Sequence, residues 1–477
     1  MTDHRLNVHF MGICGSGCAS IAMVAHDLGF SVSGCDMQTD SYYAGELKKR
    51  GIRIESGHHP AHLSADVDVV AVSPAIFDIA PDNPELRLAK ERGILMTWQE
   101  FMGKYLQEGK CVTAIAGTHG KTTTTFLSSE ILIDAGLSPT CVGGSVYRQW
   151  GSGGRAGESD LFICEADEFN RNFHHYHPET ALLTNVEMDH PECYASFEEV
   201  LQSFCDFLTK GGKLRHLILN GDSEGALTVL EMAQDAPSMK DVSVEIFTRD
   251  PKKDFSFCRL PYRVAGYRAE EKKIGHTMFA LTEDGETVHF TMRLSGDYNI
   301  QNAVSAVLLA RSHGVSDDDT ARTLQNFSGV GRRFDCVGMV HDVPVFDDYA
   351  HHPTEIRSLL QMCRDYYPDT KILAVFEPHQ ISRLRLMFDD YVSALTIADQ
   401  VIIAKTHIGR EVHKDVTPLS KSDWEAASPK ILQEDDSDLI ISEVLDRINR
   451  GECGMVVVIG AASSYKISQE LCRRGAL

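Results

Sequence analysis

The chain has 477 residues, a net charge of −22, 43% hydrophobic and 24% charged residues. This length suits about three domains with substantial cores. The acidity argues against nucleic acid and anionic lipid as partners, since both require a basic footprint. Thirteen cysteines are scattered without a C-x-x-C pair, so neither a zinc framework nor a disulfide ladder is expected and the thiols read as reduced. No apolar run reaches about 18 residues, so no membrane span is expected. The expected compartment is the cytoplasm.

Taken in order, Leu6–Met11 reads as a strand, followed by a turn containing Gly12, Gly15, Ser16 and Gly17 and a helix through about Leu28. A second strand from Ser31 ends at Asp36. Glycines at the first βα turn and an acidic residue about 20 positions on are a dinucleotide-type opening, although Ser20 stands where the third glycine would be. Ser73 closes a further strand, at the carboxyl edge where open α/β sheets bind ligands. NAD, a flavin or a sugar nucleotide would each suit these residues.

A polar stretch around Gln107 places the first boundary, giving a Rossmann-like domain over residues 1–107. The apolar run Val112–Ala116 then leads into Gly117-Thr118-His119-Gly120-Lys121-Thr122-Thr123 and a helical pattern. Strand, glycine turn and helix form a phosphate cradle of backbone N–H groups at a helix N-terminus. Lys121 supplies a charge for β/γ oxygens and the Thr122 hydroxyl a ligand for Mg²⁺. Ile115 stands where the general pattern has its first glycine. Gly151–Gly154 is expected to be a flexible loop. Two buried-type strands deliver Glu165-Ala-Asp-Glu168 and Asn185-Val-Glu-Met-Asp189-His190. Glu168 beside Thr122 suits a hard cation, whereas His190 is a softer ligand. Short alternating strands from about Val242 to Phe290 read as a β-rich insertion. Helices follow from Asn302 and from Asp317, completing a P-loop ATPase-type α/β domain over residues 108–328.

Residues 329–477 read as a third, Rossmann-like α/β domain. Arg332 and Arg333 at its entrance are candidates to reach a phosphate as bidentate donors. A strand then delivers Asp348, Tyr349, His351 and His352, and another delivers His379 and Arg383. Adjacent histidines diverge and make a poor zinc pair; after Asp348 they suit phosphate or ribose contacts.

These blocks, in this order, resemble the Mur ligases, the ATP-dependent amide-forming enzymes of peptidoglycan assembly. The resemblance rests on Ala116–Thr123, Glu165–Glu168, Thr184–His190, Asn299–Asn302, Gly331–Phe334 and Asp347–Pro353, and spans nearly the whole chain. Gly12–Gly17, Asp82–Glu85 and Asp348–Glu355 look most like the branch that joins L-alanine to UDP-N-acetylmuramate, through an acyl phosphate. The branch that reattaches a recycled tripeptide, and a relative using another amino acid, remain alternatives. Several members carry a carbamylated lysine after the Asp-His pair; Cys205 stands near that position here, as in these two branches.

The resemblance implies that Gly15, Ser16, Gly17, Asp36 and Ser73 hold the UDP-sugar. It gives Gly117 to Thr123, with Asn302, Arg332, Asp348 and Tyr349, to ATP, and Thr122, Glu168 and His190 to Mg²⁺. Lys121, Glu168, His190, Arg332 and His351 would carry the chemistry, while His379 and Arg383 would face the incoming amine. It implies small-molecule substrates only and a monomer or homodimer. Pro378-His-Gln-Ile-Ser-Arg383 and Ile459-Gly-Ala-Ala-Ser-Ser-Tyr465 depart from the alanine branch's usual Pro-His-Arg-Tyr-Thr-Arg and Met-Gly-Ala-Gly, which leaves the amine open. An oxidoreductase built on Gly12–Asp36 and a non-catalytic nucleotide-binding regulator are the rivals from other classes.

Overall fold

The structure, a computed structural model, describes residues 6–408 and 417–475. Three α/β units follow one another. The first sheet comprises β1 (Asn7–Met11), β2 (Ser31–Asp36), β3 (Arg53–Ser56), β4 (Val69–Val72) and β5 (Leu95–Thr97), all parallel, in the order β3-β2-β1-β4-β5. Strand order reverses between β1 and β4, and ligands of open α/β sheets bind at such a switch point.

The central sheet has ten strands: β6 (Cys111–Ala116), β7 (Thr140–Tyr147), β8 (Ser152–Arg155), β9 (Leu161–Ala166), β10 (Thr180–Leu183), β11 (His216–Asn220), β12 (Ser243–Thr248), β13 (Tyr262–Lys273), β14 (His276–Glu283) and β15 (Glu286–Met292). Their order is β15-β14-β13-β12-β11-β10-β6-β9-β7-β8. The β-rich segment thus extends one edge of this sheet as an antiparallel meander, β13-β14-β15. The helix Lys121–Asp134 carries four consecutive threonines, which have modest helix propensity. Burial overrides that weakness: every residue from Thr123 to Leu132 is buried.

The third sheet is β16 (Asp335–Val340), β17 (Val343–Asp348), β18 (Ile372–Phe376), β19 (Gln400–Ile403), β20 (Ile431–Gln433) and β21 (Met455–Ile459), ordered β16-β17-β21-β18-β19-β20 with only β16 antiparallel. No helix among the described residues is long and apolar enough to cross a membrane.

One expectation is corrected. Gly151–Gly154 is not a loop: Ser152–Arg155 is β8, paired antiparallel with β7, and Ser152, Gly153 and Gly154 are buried. The glycines serve close approach to the helix Ser16–Asp27 of the first unit. A Cβ on Gly153 would lie 2.4 Å from Ser20 Oγ, and one on Gly154 would lie 2.7 Å from Val24 Cγ2. One apolar core consequently runs unbroken from Val8 and Phe10 through Val24 to Val142 and Phe162. We expect Gly153→Val to destabilise the protein by about 1–3 kcal/mol through overpacking. Gly45→Ala, where an added Cβ meets nothing within 4 Å, should instead be neutral or stabilising; urea unfolding of both variants checks this.

Candidate active site

The phosphate loop leaves the carboxyl end of β6, at the middle of the central sheet. Gly117 and Gly120 have φ of 135° and 82°, conformations that side chains disfavour. A Cβ would also lie 2.1 Å from Thr184 Oγ1 at Gly117 and 2.4 Å from Asn302 Oδ1 at Gly120. Thr118 and His119 are held by the segment after β10. His119 N–H donates to Asn185 Oδ1 (2.8 Å), and His119 O accepts from Asn185 Nδ2 (3.0 Å) and Thr184 Oγ1 (2.6 Å). The helix that follows turns its first N–H groups, which lack intrahelical acceptors, to this end.

Lys121 Nζ donates to Glu168 Oε2 (2.8 Å) and to the carbonyls of Gly117 (2.5 Å) and Thr118 (3.1 Å). Burial alone would lower its pKa, but the carboxylates of Glu168, Asp167 and Glu165 outweigh it and hold the ammonium above the ordinary value. Thr122 Oγ1 donates to Glu165 Oε1 (3.0 Å), whose other oxygen accepts from Gly144 N–H (2.6 Å). Ligand atoms of Asp167, Glu168 and His190 lie within 4.8 Å of one another. Two carboxylates with one imidazole suit a hard divalent cation that keeps part of its hydration. Glu168 and His190 therefore come together, with Asp167 as their third member, while Thr122 pairs with Glu165.

The third unit closes over this loop. His119 lies between two carboxylates, with Nε2 3.5 Å from Glu187 and Nδ1 3.3 Å from Glu355, and its ring centroid is 4.6 Å from that of His352. Burial would lower the His119 pKa, yet Glu187 and Glu355 raise it to about 10, so it is a cation. Thr354 Oγ1 donates to Glu187 (2.6 Å), and Arg383, almost fully buried, pairs with Asp189 at 2.8 Å. Between these contacts is a cavity of about 690 Å³, bounded by His119, Gly120 and Asn302 on one side and Arg333, Asp348 and Glu355 on the other.

Asp348 is spent locally: its oxygens accept from Phe334 N–H and Ala350 N–H, both at 2.7 Å. Burial raises its pKa to about 6 in spite of Arg333. Arg333 faces the cavity, whereas Arg332 turns away, to Asp347 (2.9 Å), Gly460 O (2.6 Å) and Ser464 Oγ (3.0 Å). Tyr349 is exposed, with both guanidinium groups over its ring. His351 Nδ1 is 3.4 Å from Glu355; burial drops its pKa to about 3, leaving a neutral imidazole. His379 packs against both His351 and His407. His190, Arg332, Phe334 and Gln380 all adopt left-handed φ, between 51° and 67°, and such strain gathers at functional clefts.

In the first unit Gly15 caps the helix Ser16–Asp27, and Gly17 lies so close to Trp98 that a Cβ would meet its ring at 2.8 Å. Asp36 accepts from Cys14 N–H (2.9 Å) and Gln38 N–H (3.0 Å), so it shapes the glycine turn. Ser73 packs beside Gly12 across the β1–β4 switch.

Three family models match the chain end to end: the catalytic domain of the Mur ligase family over residues 7–109, the Mur ligase middle domain over 115–310, and the glutamate ligase domain of Mur ligases over 332–462. The chain belongs to the Mur ligase family. It is 31% identical to the UDP-N-acetylmuramate–L-alanine ligase of Lachnospira eligens, over 99% of each chain. It is 33% identical to that of Methylobacillus flagellatus, over 97% of this chain and 95% of the relative. Among solved structures it resembles the UDP-N-acetylmuramate–alanine ligase of Thermotoga maritima (TM-score 0.75, 22% identity, 98% and 99% of the two chains). It also resembles a murein peptide ligase of Psychrobacter arcticus (TM-score 0.68, 23% identity, 98% of each); these two share the fold.

In this Mur ligase the sequence motifs contain Glu187 and Glu355, within Thr184–His190 and Asp348–Glu355, but do not show that the two grip the loop at His119 from outside. Glu355 reads instead as the third residue of a helix capping box begun by His352. Tyr298, at the cavity wall, likewise has no signal beyond its place before Asn299. Because the folded pKa of His119, about 10, exceeds the ordinary 6.5, its stabilising contribution is complete below about pH 6.5 and is lost as pH rises towards 10. We therefore expect His119→Asn to lower stability at about pH 6 and the gap from wild type to shrink at about pH 9.5, measured by denaturant unfolding.

Proposed function

We propose that this ligase joins L-alanine to UDP-N-acetylmuramate at the expense of ATP. The observation that carries the reading is the end-to-end identity of 31–33% to ligases of that reaction. It is supported by a phosphate loop that faces a cavity shared with the last domain. The γ-phosphoryl of ATP passes to the sugar's carboxylate, giving an acyl phosphate and ADP. The amine then attacks the acyl carbon, and the tetrahedral adduct collapses to amide and phosphate.

The protein's part is positioning and charge stabilisation. Lys121 and the first-turn N–H groups hold the β and γ oxygens, and cationic His119 and Arg333 bring positive charge to the same cavity. Mg²⁺, held by Glu168, Asp167 and His190, would neutralise charge on the transferring phosphoryl group. His351, with a pKa of about 3, orients groups as a neutral imidazole and is a poor acceptor for the amine proton. The glycine turn of Gly15, Ser16 and Gly17, with Ser73, would hold the UDP-sugar at the switch point. His379 and Arg383 would serve the incoming amine, and the reaction would take place in the cytoplasm.

Phosphate release with ATP and UDP-N-acetylmuramate, run against L-alanine, glycine, L-serine and the tripeptide, tests the reading. L-Alanine should give the highest kcat/KM; turnover with the tripeptide alone would overturn the assignment. Lys121→Ala should lower kcat by roughly 10²–10³-fold, and near-normal turnover would remove the loop from the mechanism.

A further inference from the structure

On the opposite side of the first sheet from the helix Ser16–Asp27 lies a cluster that the ligase chemistry does not use. His9 on β1, Cys35 on β2, His62 at the end of the turn Pro60–His62 and Glu85 in the helix Pro84–Glu91 place one ligand atom each within 4.8 Å of all the others. His9, Cys35 and Glu85 are fully buried, and His62 is the member that reaches the surface. His9 Nε2 is 3.2 Å from Glu85 Oε1, yet the two lack hydrogen-bond geometry and have no other hydrogen-bond partner. His62 Nδ1 is 3.3 Å from the same oxygen, and Cys35 Sγ is 3.4 Å from Glu85 Oε2.

We propose that His9, Cys35, His62 and Glu85 form a structural zinc site. The donor set is two imidazoles, a thiol and a carboxylate, the types zinc takes at four-coordinate sites. Zinc bond lengths of about 2.0–2.3 Å give tetrahedral edges of about 3.3–3.7 Å between ligand atoms, close to the 3.2–3.4 Å of the three contacts to Glu85. The set is also charge-balanced: Zn²⁺ displaces the thiol proton, and thiolate and carboxylate then neutralise the ion. His58 Nδ1, 3.0 Å from Cys35 Sγ and partly exposed, gives that proton a path to solvent. The supporting contacts are in place as well. His9 Nδ1 meets Ser33 Oγ at 2.9 Å, which aims Nε2 at the cluster, and His59 N–H donates to Glu85 Oε2 at 2.8 Å. Outer contacts of this kind fix the orientation of metal ligands. His62 Nδ1 accepts from His59 N–H at 3.4 Å, a long capping contact that bound zinc would replace.

The ion would tie together two strands, a surface turn and a helix start. It would also stiffen the end of β2, where Asp36 follows Cys35 and shapes the glycine turn.

The test is cobalt substitution in the full-length protein after chelator treatment. One equivalent of Co²⁺ should give the intense visible bands of a tetrahedral site and a near-ultraviolet thiolate-to-cobalt band, both removed by one equivalent of Zn²⁺. The thiolate band separates this site from the clusters around Glu168 and His119, which contain no cysteine. Cys35→Ser should abolish the band, and His62→Asn, at a surface turn, should weaken Zn²⁺ binding by about tenfold or more. Zn²⁺ should raise the Tm of wild type and not that of Cys35→Ser. Wild type without a thiolate band, or a band that survives in Cys35→Ser, overturns the proposal.

Discussion

The clamp on the backbone of His119 is the constraint on which the rest depends. Asn185 offers both halves of its amide to the N–H and C=O of one residue, much as a neighbouring strand would. Thr184 adds a second donor to the same carbonyl. A glycine-rich turn costs more conformational entropy to order than any other chain segment. Here it is ordered by side chains borrowed from the segment that follows β10, the neighbouring strand of the same sheet, so the cradle has its shape before any anion arrives. The same turn sends its imidazole outward to meet the last domain. One residue thus belongs to the phosphate site through its backbone and to the domain contact through its ring.

The two interfaces between units differ in kind. The first and central units share an apolar core, sealed where β8 lies on a helix of the first unit. The central and third units meet chiefly through ions and hydrogen bonds, His119 with Glu355, Arg383 with Asp189 and Thr354 with Glu187, with Met188 and Tyr298 of the central unit packed against the third unit's apolar core. Buried charge pairs contribute little net stability against well-packed apolar contacts, but they are costly to leave half-made. Such a surface is suited to being entirely together or entirely apart.

Much of the architecture was readable from residues alone, because buried parallel strands are short apolar runs punctuated by glycine or acid. The runs before Gly12, Gly117 and Asp348 are of this type, and each ends at the carboxyl edge of its sheet. What sequence hid has two physical causes. Gly153 and Gly154 read as flexible because glycine's freedom and glycine's smallness look the same until the neighbour is known; here the neighbour is Ser20. Glu187 and Glu355 become a pair only when two domains meet around His119. Arg332 and Arg333 are indistinguishable as adjacent letters, and only a left-handed φ at Arg332 sends one inward and the other to Gly460. His9, Cys35, His62 and Glu85, each unremarkable in its own stretch, are gathered only by the pairing of β1 with β2 and the return of a helix.

The strand β8 carries a consequence for scale. With an unbroken apolar core beneath them, the glycine turn after β1 and the phosphate loop after β6 cannot change their separation without opening that core. The first two units then act as a fixed gauge. A substrate anchored at one turn presents its reactive end at the other only if its length suits the gap, whatever the third unit is doing. On the proposed reading, selection of the long partner by size would be built into this frame, and the third unit would be left to choose only the short one.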